Sequence, residues 1–528
     1  MKSLLNNRFV TAVSTVALAL GAFSCQKDLL EPVPVTYLLP AQSFDTPSRV
    51  LAQVNGLYSY VKTGGFLGGR YQIYGDIRAN DFINRTSNSV TGLSVWNHTE
   101  SETSQNDVIN TWGFGYAAIN QVNIFLASLD ANADKLNAAP FPTGYASTAT
   151  NYRAEARLLR ALCYYSLLQL YARPYVEGAG TRPGLPLRLT AETQLSSNND
   201  LARSTVAQVY DQILLDLNYA EQNLPLTYTA SQNGVSTSTL NVTRAHRNTA
   251  IALKTRVYLS MGRYDDVIRE ANKIVSSTAP FSASSGVTHA LASTVSAVFA
   301  APQETSESIL SFPFTAQDTP GTQNQLAYYY LPTSLGGNGE YGLNTSTTGI
   351  LNNSGWLSTD NRRTNFVAPV TTTNAAGVKT TEYFLAKYPT GTPYTDKAPV
   401  IRYAEVLLNL AEARVRSTNT IDAQALALLN AVRGRSNPAI AATATTPAVP
   451  TAAFVATDFA SVTAFLNAML LERRIEFLGE GIRNMDLMRL DATIPGKGSV
   501  GAIEPSNVLY VWPIPSTELA ANLLMTRN

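Results

Sequence analysis

The chain is poor in residues that staple, chelate or attract by charge. Among 528 residues there are 2 cysteines, Cys25 and Cys163, too few for a disulfide framework, so stability has to come from packing. The 3 histidines, His98, His246 and His289, are scattered and accompany no HExxH motif or cysteine pair, which argues against a zinc site. Charged residues make up 15%, against about 25% in an average soluble domain, and the net charge is +1. So small an excess cannot neutralise many phosphates, which argues against electrostatically driven nucleic-acid binding. Beyond the N-terminal region no stretch reaches 18 uninterrupted apolar residues, so no membrane-spanning helix is expected in the body.

The N-terminus has Lys2 and Arg8 ahead of a largely apolar run, Phe9–Phe23, and then Ser24 and Cys25. At about 1.5 Å per residue the run spans about 22 Å, short of a ~30 Å hydrocarbon core, and reads as a signal peptide (1–24). Ala22, Phe23, Ser24 and Cys25 resemble the cleavage box of bacterial lipoproteins, which makes Cys25 the expected site of lipidation. The match is loose: Leu20 lies five residues before the cysteine and Phe23 is bulky, and a plain signal peptidase site near Ser24 is the alternative. The proline-rich, aperiodic residues that follow read as a lipidated tether, 25–40.

From residue 41 onward helices dominate. Ile401–Arg416, IRYAEVLLNLAEARVR, repeats Ala404, Leu408, Ala411 and Val415 on one face, with Arg402, Glu405, Asn409, Glu412 and Arg416 on the other. Its alanines let a neighbouring helix come close. Comparable periodicity marks a helix through Val50–Val61 with a cap near Ser43–Thr46, Asn151–Tyr171 with Cys163 inside it, a helix capped at Ser204 or Thr205, a pair over Asn248–Val275 split at Met261-Gly262-Arg263, Asp422–Arg433, and Ser461–Leu478. Gly68–Thr103, Ser276–Ala300 and Gln317–Thr381 read as long irregular tracts, and residues 436–458 as a loop of low order. The spacing of alanine, large apolar residue, Tyr, turn glycine and Tyr around Gly262 is that of a tetratricopeptide hairpin. The expected fold is mainly α, an α–α superhelix of divergent tetratricopeptide-like helix pairs with a loop-rich region and a few short strands. It forms one body, 41–528, with the helical scaffold at 41–275 and 398–528 and a ligand-facing region at about 276–397.

Blocks in order carry a family likeness: CQKDLLEPVP, YRAEARLLRALCYYSLLQLYARPY, STVAQVYDQILLDLNYAEQNLP, ALKTRVYLSMGRYDDVIREANKIV, RYAEVLLNLAEA, LLNAVRGRS, LERRIEFLGEGIRNMDLMRL and WPIPSTEL. Together they resemble the SusD/RagB family, nutrient-binding surface lipoproteins of Bacteroidetes that partner TonB-dependent transporters. One departure is the C-terminus, where Asn522 is followed by LLMTRN in place of the Asn-Pro and Gly-Tyr of many members. The resemblance implies binding of an oligosaccharide or peptide without catalysis or cofactor, delivery to a SusC-like β-barrel, and an outer-membrane, lipid-anchored position facing the exterior.

Glycan or peptide capture needs aromatic faces and polar side chains on loops held by a rigid frame. One candidate region holds Arg78, Asn80, Asp81, Asn84, Arg85, Trp96 and Asn97; a second holds Tyr328, Tyr329, Tyr330, Tyr341 and Trp356. Trp96, Asn97, Arg85, Asp81, Tyr329, Tyr341 and Trp356 are the expected ligand residues, set against burial of the same rings in the core. Glu472, Glu476 and Glu480, spaced by four, could suggest a surface glycoside hydrolase, but Arg473, Arg474 and Arg483 nearby favour an ion-paired network. Gly337–Gly342 fits GxGxxG by letter but follows no predicted strand and opens no helix. A periplasmic tetratricopeptide scaffold is the remaining alternative. If acylation of Cys25 provides the anchor, Cys25→Ser releases the protein from membranes on fractionation; continued sedimentation with membranes would assign the anchor elsewhere.

Overall fold

A computed structural model describes residues 42–194, 200–439, 442 and 450–528. The expected signal peptide, Cys25 and the tether lie outside these residues, as does part of the 436–458 tract.

Local signals set several helix starts. Helix α1, Pro47–Val61, starts where the Thr46 hydroxyl accepts from the Arg49 amide, with proline in the first turn, where its missing N–H costs nothing. Helix α2 is Arg70–Ile77, α3 Asn110–Ala131 and α4 Tyr145–Tyr171. Helix α5, Val206–Asn223, opens on a reciprocal capping box between Thr205 and Gln208. Helices α6, Arg247–Ser260, and α7, Tyr264–Ala271, fold back through Gly262, whose φ of 69° favours glycine. Helix α8 is Tyr403–Thr418, and Asp422 and Ser461 cap α9, Ala423–Ser436, and α10, Val462–Glu476. The short α11 covers Arg483–Met488.

Packing is sequential. Helix α1 lies on α3, α3 on α4, and each helix from α4 to α8 on the next; α8 packs on α9, and both pack on α10. This chain of neighbours is the expected superhelix. Six short strands form three two-stranded antiparallel ribbons among the described residues. They are β1 (Phe82–Asn84) with β3 (Tyr341–Leu343), β2 (Ser308–Phe312) with β6 (Ala398–Arg402), and β4 (Val367–Thr373) with β5 (Lys379–Leu385). Residues 276–397 carry β2–β5 and helices of five or six residues.

Four expectations need correction. Ile401 and Arg402 close strand β6 and do not open the helix, because Arg402 pairs across to Ser308. Residues 68–103 are not one long loop: α2, β1 and the helix Leu93–Asn97 occupy them, and every residue of α2 is buried. All-round burial leaves no polar face to set a period. Helix α3 went unforeseen, although Trp112, Gly115, Ala118, Ile119, Val122, Phe125 and Leu129 mark its buried face. Finally, the polar side of α8 does not meet water.

That polar side is a set of buried ion pairs. Glu405 takes both ends of Arg256 at 2.7 and 2.6 Å, Asn409 accepts from Arg473 at 2.7 Å, and Glu412 takes two bonds from Arg489 at 2.7 Å. Glu412 also accepts from Arg416, one turn on, at 2.7 Å, and its carboxylate is fully buried. At the head of the helix Arg402 donates to both oxygens of Glu480 at 2.8 Å and to Glu476 at 3.1 Å, and it also pairs with Glu307. Arg435 bridges Glu476 and Glu307, Arg362 reaches Glu476 at 3.0 Å, and Lys387 reaches Glu480 at 2.8 Å. The glutamates are thus neutralised by Arg362, Arg402, Arg433, Arg435 and Lys387; the sequence neighbours Arg473 and Arg474 turn to Asp486 and Asp81.

Loss of one partner costs such a network far more than replacement of all, since each ion left unpaired carries several kcal/mol of desolvation. Replacing Arg402 by Met, which keeps volume but takes one buried cation away from three carboxylates, is expected to lower unfolding free energy by about 3–5 kcal/mol in denaturant titration. A second test concerns Asp76 on α2, which is buried and accepts from the Gly481 amide at 2.9 Å and the Tyr330 hydroxyl at 3.2 Å. Burial pushes its carboxyl up to about 8, so between pH 4 and 8 the unfolded chain loses a proton that the folded chain keeps, and stability falls as pH rises. Asp76→Asn removes that penalty. The Tm advantage of the variant should therefore grow from pH 5 to pH 8; a constant difference would contradict the assignment.

Candidate functional site

Pairing of β1 with β3 brings the two candidate regions together. The register sets Phe82 opposite Leu343, Ile83 opposite Gly342 and Asn84 opposite Tyr341. Glycine is needed at 339, where φ is 58° and a Cβ would lie 2.9 Å from the Phe384 ring, and a Cβ at 342 would press on Arg85 Cδ at 3.0 Å. The GxGxxG-like run therefore leads into a strand edge and not into a phosphate-binding helix.

On this edge the exposed Arg85 lays its guanidinium 4.9 Å over the Phe384 ring and forks onto Glu382, with Nε to Oε1 at 2.7 Å. Beneath it the buried carboxylate of Glu340 accepts from Thr91 at 3.1 Å, Asn338 at 2.5 Å, Asn88 at 3.4 Å and the Thr86 hydroxyl. Half-buried Tyr328 and Tyr394 meet edge to face at 6.1 Å, and Gln323 donates to the Tyr328 hydroxyl at 3.3 Å. Burial, helped by the charge of nearby Glu340, raises the Tyr328 phenol above its usual range despite the Gln323 bond. Tyr394 holds φ at 61°, in a turn closed by its amide on Gly391 O at 2.7 Å. The result is an open shelf of two partly exposed rings, one guanidinium and several amides and hydroxyls, a chemistry suited to stacking on C–H faces and gripping hydroxyls.

The expected ligand residues divide on this geometry. Arg85 is on the shelf and exposed. Asn97 is half-buried at the end of the helix Leu93–Asn97. The other five are corrections, because their faces are covered by protein. Trp96 is 8% exposed, donates from Nε1 to Phe82 O at 2.9 Å, and has Lys497 5.7 Å from its ring. Trp356 is 2% exposed and lies 5.6 Å from the Arg363 guanidinium. Tyr329 and Tyr341 are fully buried and stacked at 6.2 Å, their hydroxyls donating to Gln323 O and Thr91 O. Asp81 is buried under Arg474, with Nε to Oδ1 at 2.9 Å. Of the wider candidates, Tyr328 reaches the shelf, whereas Arg78, Asn80 and Tyr330 are buried. Tyr394, Glu382, Asn338 and Asn88 were missed; only the Gly-Thr-Pro-Tyr turn before Tyr394 and the glycines around Asn338 could have signalled them.

Glu476 and Glu480 are not poised as general acids. Burial alone would raise Glu476, but Arg435, Arg402 and Arg362 outweigh it and hold the carboxyl well below its usual range. Arg402 and Lys387 likewise outweigh burial at Glu480 and lower its carboxyl. Among the described residues no group of three or more His, Cys, Asp and Glu is placed to hold a metal ion, and no helix is long and apolar enough to cross a membrane.

A stack of helix pairs presenting a polar, ring-bearing shelf on its loops defines a helical-repeat binding protein. The comparisons narrow that class. A family profile described as "Starch-binding associating with outer membrane" matches residues 49–259, and the SusD family profile matches 344–528. A SusD superfamily protein from Bacteroides fragilis is 32% identical over 92% of this chain and 99% of its own, with a TM-score of 0.72. One from Bacteroides thetaiotaomicron shares the fold at 22% identity, TM-score 0.72, over 91% of this chain and 99% of its own. A laminarin-binding SusD-like protein does so at 21% identity, TM-score 0.63, over 92% and 99%. No curated protein matches the chain. The chain belongs to the SusD/RagB family.

Since the Trp96 indole fills the core, Trp96→Ala is expected to cost about 3–5 kcal/mol of stability while leaving ligand affinity of the folded protein unchanged. Lost affinity at unchanged stability would return the indole to the ligand surface.

Proposed function

We propose that the protein captures an oligosaccharide on the Tyr328–Tyr394 shelf at the cell surface and hands it to a TonB-dependent, SusC-like β-barrel in the outer membrane. The observation that carries this reading is the pair of half-exposed tyrosines beside Arg85, Asn88 and Asn338, all on loops pinned to a buried frame. A shelf open to solvent suits a long ligand that must be released again, whereas an enclosed pocket would suit a retained cofactor. The laminarin-binding relative and the starch-binding description of the matching profile support a glycan over a peptide. Acylation at Cys25 with the body facing outward supplies residence at the surface, and capture without turnover accords with the arginine-quenched glutamates.

The test is a glycan array on the full chain in detergent, followed by calorimetry on the best hit. Tyr328→Ala combined with Tyr394→Ala is expected to weaken that glycan by about tenfold or more, with Tm little changed, because each ring is already partly exposed. Unchanged affinity would remove the shelf from the site. Turnover of the glycan by purified protein would replace capture with catalysis.

A further inference from the structure

Another concave surface lies where the C-terminal tail meets the segment that joins α4 to α5. It is a cleft of about 430 Å³ lined by Arg173, Arg182, Arg203, Arg527 and Glu177, with Asn528 at its edge. The tail is firmly seated there: the Asn522 side chain bonds both the amide and the carbonyl of Leu201 at 2.9 Å, and Asn528 Nδ2 reaches Tyr171 O at 3.0 Å.

The four guanidiniums are not equivalent. Arg527 is taken by Glu102, and Arg182 by Glu177 at 2.8 Å. The other two are held almost wholly by backbone carbonyls. Arg203 donates to Gly184 O at 2.7 Å, Pro183 O at 3.0 Å, Thr526 O at 3.3 Å and Arg527 O at 3.4 Å, and no carboxylate of the described residues lies within ion-pair distance of it. Arg173 donates to Asn507 O at 2.9 Å and to Pro505 O, with Glu177 only at 3.8 Å. Carbonyl oxygens fix the orientation of a guanidinium but leave its charge uncompensated. Burial with no carboxylate to offset it pushes Arg203 down to about 10, a penalty that an incoming anion would relieve. Arg203, with no carboxylate partner, and Arg173, whose carboxylate partner Glu177 stands off at 3.8 Å, thus face one cavity in a chain of little charge, and guanidinium donors suit carboxylate and sulfate oxygens.

We propose that this cleft is a second ligand site, which binds an anionic sugar unit, carboxylated or sulfated, through Arg173 and Arg203. Its volume falls within the range of small-molecule sites, about 300–1,000 Å³, and fits one or two sugar rings better than an extended protein segment. The proposal takes its ligand class from the glycan reading above. It adds selectivity for charged residues of a polymer whose neutral parts rest on the tyrosine shelf.

The experiment is calorimetry on the full chain in detergent with four probes: a galacturonic acid trisaccharide, its fully methyl-esterified form, a sulfated galactose disaccharide and inorganic sulfate. Binding of either charged sugar is expected to fall by about tenfold or more in an Arg173→Gln, Arg203→Gln variant and to weaken as salt rises. Which charged sugar binds tells carboxylate from sulfate as the group recognised. Because Arg203 also ties residues 183–184 to the tail, Arg182→Gln serves as the milder variant, with an expected loss of about two- to fivefold. Binding of neither sugar, equal binding of the methyl ester, an unchanged affinity in the double variant, or sulfate binding as tightly as the sugars (an adventitious ion only) would overturn the proposal. Neutral-glycan affinity at the shelf is a separate readout. Its loss in the Tyr328→Ala, Tyr394→Ala protein, with charged-sugar binding intact, separates failure of one site from failure of the other.

Discussion

The constraint on which the structure depends is the neutralisation of charge inside a helical stack. Arg402, Arg362 and Arg435 are buried against Glu476, Glu480 and Glu307, where an unpaired ion would cost several kcal/mol. Every member has to find its partners at once. That requirement fixes the end of β6, the start of α8 and the C-terminal end of α10 relative to one another. The knot also reaches into the irregular region, since Arg362 stands in the helix Asn361–Phe366 and Lys387 just beyond β5. The segments that bear Glu382, Phe384 and Tyr394 thus stem from anchored points.

The shelf owes its shape to a second layer of packing beneath it. Fully buried Tyr329 and Tyr341 stack on each other, Tyr330 lies against Phe82 at 4.8 Å, and Tyr388 bonds Gly479 O at 2.9 Å. Above them Tyr328 and Tyr394 keep one side toward solvent. Rings of one chemical type therefore do two jobs, and depth separates them. Inner rings rigidify, and outer rings keep a face free for stacking on frames whose conformational entropy is already largely spent.

Much of the frame was legible in the sequence because it is written locally. Thr46, the Thr205–Gln208 box, Gly262, Asp422 and Ser461 each mark a helix boundary within a few residues of chain. Burial is not local. The eight residues of α2 are all enclosed, so no alternation betrays them, and the Glu405–Glu412 face of α8 resembles a solvated stripe until Arg256 and Arg489 arrive from distant helices. For the same reason Trp96 and Trp356 had the composition of a glycan platform but the position of core residues. Region was readable and residues only in part: the two loop tracts do converge, through β1 and β3, and the expected Arg85 and Tyr328 reach the surface beside the missed Tyr394 and Glu382, whereas the indoles do not.

The central claim is that a stiff, internally neutralised frame offers its ligand to one tyrosine-bearing edge. Hydrogen–deuterium exchange on the full chain, with and without a saturating neutral oligosaccharide, tests it most directly. The account predicts new protection confined to residues 85–91, 323–340 and 382–394, with exchange in α8 and α10 slow and unchanged. Protection that appears elsewhere and spares those three segments, or ligand-dependent exchange throughout α8 and α10, would contradict it.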